Sequence, residues 1–85
     1  MQQCSYTIQD QYGMHARPAG QLVRLASAYH SAVIVQHGDR SCTLKTPMHL
    51  MALGIKQGDN ITIQAEGTDE SECIAAVQKF LAENV

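Results

Sequence analysis

Cys4-Ser5-Tyr6-Thr7-Ile8-Gln9 alternates apolar with polar residues, the period of a strand that buries one face. From about Ala16 to Tyr29 the period changes, and Ala19, Leu22, Val23, Ala26 and Tyr29 recur at helical spacing. It changes back at the largely β-branched run Ala32-Val33-Ile34-Val35. The turn His37-Gly38-Asp39-Arg40 then returns Ser41-Cys42-Thr43-Leu44 as a hairpin partner. Thr46 as N-cap, Pro47 at the first helical position and Gly54 as the stop bound a short helix. Gly58-Asp59-Asn60 turns the chain into Ile61-Thr62-Ile63-Gln64-Ala65, a further alternating strand. A final helix carries Cys73, Ile74, Val77, Phe80 and Leu81 along one stripe, and Asp69 with Glu72 has capping-box spacing at its start. This alternation of periods constrains the fold more than any other feature. Every strand has one apolar face and every helix one apolar stripe. The order βαββαβα therefore predicts an α+β, open-faced β-sandwich, a four-stranded antiparallel sheet with three helices on one face.

The chain has 85 residues, and no linker, repeat or low-complexity segment divides it, so residues 1–85 are expected to form one domain. Hydrophobic residues make up 45% and charged ones 16%, which favours a packed interior over disorder. A net charge of −2 without any Lys/Arg run speaks against nucleic acid as a partner. No apolar run approaches a membrane span, and the start MQQCSYT does not read as a signal sequence, so a soluble, cytoplasmic protein is expected. Cys4, Cys42 and Cys73 are widely spaced and odd in number, which suits reduced thiols better than a disulfide framework. With His30, His37 and His49 they match no zinc-ligand spacing, so neither a metal nor a cofactor is expected.

The chemistry concentrates in Gly13-Met14-His15-Ala16-Arg17-Pro18-Ala19-Gly20. Gly13 supplies a turn, and Pro18 belongs to the first turn of the helix that follows. His15 is thereby set beside the free N–H groups of a helix start, with the phosphate-cradling positions at Ala16 and Pro18. Imidazole is a nucleophile, helix N-termini receive anions, and the Arg17 guanidinium can add fork-shaped donors to phosphate oxygens. Phosphoryl transfer needs little more than such positioning. No Walker loop or carboxylate pair stands elsewhere in the sequence, so the phosphoryl group would have to come from another macromolecule. A stand-alone hydrolase would need a general acid and an enclosed pocket, which a domain of this size could hardly supply.

GMHARPAG resembles the active-site signature of the histidine-containing phosphocarrier (HPr) family of the bacterial phosphoenolpyruvate-dependent sugar phosphotransferase system. LVRLASAYHSAVIV, LKTPMHLMALGIKQGDNITI and AEGTDESECIAAVQKFL extend the resemblance over nearly the whole chain. It implies that His15 is phosphorylated on Nδ1 and that Arg17 stabilises the phosphate. It further implies enzyme I as donor, the histidine of a sugar-specific IIA domain as acceptor, and a docking surface that includes Gly20, Arg24, Pro47, Met48 and Met51. Met48 and Met51 suit such a surface because methionine adapts to unlike partners and so short a helix cannot bury every apolar residue it carries. Transient exchange with two partners implies a monomer.

The sequence departs from the family around Thr46. Where many members carry a serine phosphorylated by an ATP-dependent HPr kinase, this chain has Thr46 followed by Pro47, and His49 replaces a common glycine. Thr46 keeps a hydroxyl, yet its methyl and the adjacent proline change what a kinase must accept, and an N-cap role accounts for it without modification. These departures leave open a specialised paralogue or a regulatory module that docks on transcription regulators and uses phosphorylation as a signal.

Overall fold

The computed structural model describes residues 1–85. The order is β1 (Gln2–Thr7), α1 (Ala16–Ser27), β2 (Ala32–His37), β3 (Arg40–Thr43), α2 (Pro47–Met51), β4 (Asn60–Glu66) and α3 (Glu70–Asn84). The four strands form one antiparallel sheet in the order β1-β4-β2-β3, the α+β open-faced sandwich that the periods imply.

The alternation along the strands decides which face is covered. Val33 and Val35 of β2 and Ile61, Ile63 and Ala65 of β4 point inward and are buried. They meet Ala19, Leu22 and Ala26 of α1, Leu50 of α2, and Cys73, Ile74, Val77 and Leu81 of α3 in one apolar cluster. Burial of the Val, Ile and Leu side chains among them, about 1.5–3 kcal/mol each, is what holds the helices to the sheet. The opposite face is largely polar, Ile34 excepted, with Gln64 donating to Gln3 and Asn60 to Thr7 across the β1–β4 pair.

Several element ends differ from the sequence expectation. β1 begins at Gln2 and ends at Thr7, because Ile8 and Gln9 leave the ladder and donate to the carbonyls of Asp59 and Val85. α1 ends at Ser27, and the Ala28 and Tyr29 N–H groups close a tighter turn onto Leu25 and Ala26. The capping box at α3 is not formed. The Asp69 carboxylate is taken by the Ser31 hydroxyl at 2.6 Å and the His30 N–H at 2.8 Å, which ties the α1–β2 connection to the start of α3. The reciprocal bond comes from Glu70, whose carboxylate accepts the Gly67 N–H at 3.3 Å.

Gly13 is required twice over. Its φ of +65° is a left-handed conformation, and a Cβ there would run into the Ile55 carbonyl oxygen and lie 2.8 Å from the Lys56 Cα. The neighbouring Met14 N–H donates to that same Ile55 carbonyl at 3.2 Å. The turn carrying the candidate histidine is therefore clamped against the α2–β4 loop.

Candidate functional site

The segment ahead of α1 is built as an Asx turn. Asp10 Oδ1 accepts the Tyr12 N–H at 2.8 Å, and the Asp10 carbonyl accepts the Gly13 N–H at 3.0 Å. The turn delivers His15 to the N-cap of α1 in an extended conformation, φ −88° and ψ −177°. His15 is an N-cap whose ring does not cap: its side chain makes no bond to the helix. No hydrogen bond or ion pair within the chain engages either ring nitrogen. The ring's aromatic neighbour is Tyr12, edge-on at 5.9 Å between centroids.

The first two helical residues, Ala16 and Arg17, are exposed, and their backbone N–H groups precede any intrahelical acceptor. The first main-chain bond of the helix is Ala19 N–H to the His15 carbonyl at 3.0 Å. Pro18, expected to help cradle phosphate, has no N–H to donate, and its ring is buried. The donors at this helix start are therefore Ala16 and Arg17, and Pro18 contributes a wall. His15, Arg17 and Pro18 line one cleft of about 210 Å³ together with Asp10, Gln21 and Asn84. Arg17 forms no ion pair, so its guanidinium is free to meet an anion beside the ring.

Asp10, Gln21 and Asn84 escaped the sequence reading. Asp10 had a local signal, the Asp-x-Tyr-Gly turn, whereas Asn84 reaches the cleft only because α3 packs alongside α1. Tyr12, 72% exposed beside His15, also went unread. The expected interface residues fall into two groups. Arg24 lines a groove between α1 and α3 that shares Gln21 and Asn84 with the His15 cleft, and Gly20 is half-buried on α1. Pro47, Met48 and Met51 line neither cleft and stand on α2, which packs against α1. Met48 is 76% exposed and Met51 44%, so neither fills the core. Thr46 caps α2 as expected, its hydroxyl accepting the His49 N–H at 3.3 Å. No group of His, Cys, Asp and Glu is arranged to hold a metal ion, and no helix is long and apolar enough to cross a membrane.

The cleft sets an unpartnered imidazole beside a guanidinium and two helix-start N–H groups, a donor set suited to a tetrahedral anion. Comparison with known proteins points the same way. A sequence-family profile described as "PTS HPr component phosphorylation site" matches residues 2–83. A histidine-containing phosphocarrier protein from Mycoplasma is 36% identical and superposes with a TM-score of 0.93, covering 96% of this chain and 93% of its own. HPr from Thermoanaerobacter tengcongensis is 34% identical with a TM-score of 0.92, over 98% and 93% of the two chains. Crh from Bacillus subtilis, described as a catabolite repression protein and seen as a domain-swapped dimer, is 29% identical with a TM-score of 0.78, over 100% and 98%. With a phosphorylation-site profile over nearly its full length and phosphocarriers as its structural neighbours, this chain belongs to the HPr family of the phosphotransferase system.

Proposed function

We propose that the chain carries phosphoryl groups between histidines of two partner proteins in the phosphoenolpyruvate-dependent sugar phosphotransferase system. Nδ1 of His15 attacks the phosphorus of an enzyme I phosphohistidine. The donor N–P bond breaks as the new one forms, and the donor imidazole leaves with its electron pair. The group then passes in the same way to a histidine of a IIA domain. The N–H groups of Ala16 and Arg17 and the Arg17 guanidinium balance charge on the transferring phosphate. The observation that carries this reading is the ring of His15, free at both nitrogens, in one cleft with Arg17 at the uncapped start of α1.

Docking falls to surface around the cleft, with Gly20 and Arg24 on α1 and Pro47, Met48 and Met51 on α2. The exposure of the two methionines supports it, because apolar side chains left in water at a helix turn are available to a partner. Brief docking with donor and acceptor in turn favours a monomer, which light scattering would report.

The test is intact mass after incubation with phosphoenolpyruvate and enzyme I. The expected product is one acid-labile phosphoryl adduct, absent from His15→Ala. An adduct that persists in His15→Ala would remove His15 from the mechanism. The likeness to Crh favours a second reading, a regulatory module whose phosphorylation governs partner binding. Under it, Thr46 is a substrate of an HPr kinase and His15→Ala leaves partner binding and output unchanged. ATP-dependent phosphate on Thr46 would support that reading, and its absence with an active kinase would dismiss Thr46 as a phosphosite.

A further inference from the structure

On the edge of the sheet a second cleft, about 500 Å³, opens between β3 and α2. Its cationic lining comes from Arg40 at the start of β3, Lys45 just beyond its end, and His49 on α2. In a chain of net charge −2, this gathers two of the six Lys and Arg residues and one of the four His around a single cleft, and no acidic residue lines it. Neither Arg40 nor Lys45 takes part in an ion pair. The cluster therefore answers to no acid in the chain.

Backbone register adds donors to these charges. β3 is the last strand of the sheet, so one of its edges has no partner strand. The hairpin closes through Gly38 and Asp39, with Gly38 at φ +64° as a II′ turn requires. The closing pair His37–Arg40 and the pair Val35–Cys42 are the hydrogen-bonded ones. The Leu44 N–H bond to the Val33 carbonyl at 2.8 Å continues that phase. Ser41 and Thr43 thus turn their N–H groups to the free edge, where their residues line the cleft. The floor is Cys42, Ala52 and Leu53, small or apolar groups against which a carbon skeleton can rest. Burial pushes the Cys42 thiol up, so it remains a neutral part of that floor.

We infer that the β3–α2 cleft is a second anion site, distinct from the His15 cleft, and that it binds a small phosphate-bearing molecule. Apart from Cys42 and Leu53 its lining is exposed, an open surface site that suits a small anion reached from solvent. Guanidinium, ammonium and edge N–H groups are the donor set that recognises a phosphate dianion. The site shares no lining residue with the His15 cleft, so the inference stands independently of the carrier role. Occupancy would tie α2, which presents Met48 and Met51, to the sheet edge.

The experiment is an amide NMR titration of the full chain with inorganic phosphate in one arm and glucose 6-phosphate in the other. Saturable shifts are expected at Ser41, Thr43 and His49, separable by residue from any at Tyr12 to Arg17. The exposed double variant Arg40→Gln/Lys45→Gln should weaken them roughly tenfold or more, the loss of one or more charge-assisted hydrogen bonds. Tighter binding of glucose 6-phosphate identifies a phosphorylated metabolite as the source, and equal binding identifies free phosphate. The inference is overturned if neither probe gives saturable shifts on β3 and α2, or if the shifts persist in the double variant.

Discussion

Two histidines show how the same side chain is put to opposite uses. His37, at the end of β2, is held on both sides. Nδ1 lies 2.9 Å from the Leu53 carbonyl oxygen and Nε2 lies 2.9 Å from Asp59 Oδ2, whose carboxylate also accepts the Lys56 N–H. That ring staples the β2–β3 hairpin to the α2–β4 loop. His15 follows the turn that the Gly13–Ile55 clamp fixes to the same loop, and no hydrogen bond engages its ring. A nucleophile must keep a lone pair free, and a staple must not. The fold thus uses its hydrogen bonds to hold the turn and leaves both ring nitrogens of His15 unpaired.

Exchanging losses between the two rings would break the comparison. His15→Ala should abolish phosphorylation and leave the melting temperature nearly unchanged. His37→Ala should leave phosphorylation near its original rate and cost about 1 kcal/mol for the Leu53 bond, read from denaturant unfolding. A His15 variant that unfolds, or a His37 variant that stops accepting phosphoryl groups, would show that the two roles are not separate. Arg17→Ala sharpens the same contrast. Arg17 is exposed and unpaired, so the fold should not register its loss, while the rate of phosphoryl transfer should fall by about a hundredfold as charge stabilisation is removed. Rapid-quench kinetics with phosphorylated enzyme I would measure it.

Gly13→Ala tests the clamp. A methyl group directed at the Ile55 carbonyl from a left-handed backbone should cost about 2–3 kcal/mol. It should also slow phosphorylation, because His15 rides on that turn. A stable Gly13→Ala protein with full transfer rate would mean that the turn's position is not critical.

How much of this was legible beforehand depended on whether the interaction was local. The strand and helix periods, the Thr46 cap and the helix start after His15 are set by residues within a few positions of each other, and they read correctly. The role of Asp69 did not. Its spacing to Glu72 looked like a capping box, but a partner 38 residues away, Ser31, offered a shorter bond once the sheet had formed. The His15 cleft was legible in half its lining; of the rest, Asp10 sits in a local Asx turn and Gln21 one helical turn beyond Arg17, while Asn84 is placed by the packing of α3 on α1, which no local pattern encodes. The docking residues were read as one set, yet Arg24 faces the α3 side while the methionines belong to α2.

Asp69 also supplies a pH prediction. Its carboxyl is held below the ordinary value of 3.8, first by the Ser31 hydroxyl and then by the His30 N–H. A carboxylate depressed in the folded state stabilises it above the unfolded pKa. That contribution is lost as pH falls through the folded one. The melting temperature should therefore drop as pH falls below about 5, and less steeply in Ser31→Ala, whose Asp69 has one fewer partner to lose. Equal slopes in the two proteins would place the acid sensitivity elsewhere, at Asp59 or Glu70, whose carboxyls are also held low.

The smallest expected effect separates folding from docking at Gly20. A Cβ built on Gly20 meets nothing within 4 Å, and the residue lies inside α1, where glycine is less favourable than alanine by up to about 1 kcal/mol. Neither packing nor backbone conformation within the chain calls for a glycine there. Gly20→Ala should therefore stabilise the protein slightly, by a few tenths of a kcal/mol to about 1 kcal/mol. If the absent side chain serves a partner's close approach, the same variant should transfer phosphoryl groups more slowly with enzyme I, while a bulkier Gly20→Leu should slow transfer further at undiminished stability. Unchanged transfer in both variants would remove Gly20 from the docking surface and leave docking to Arg24 beside the α3 side of the cleft and to Met48 and Met51 on α2.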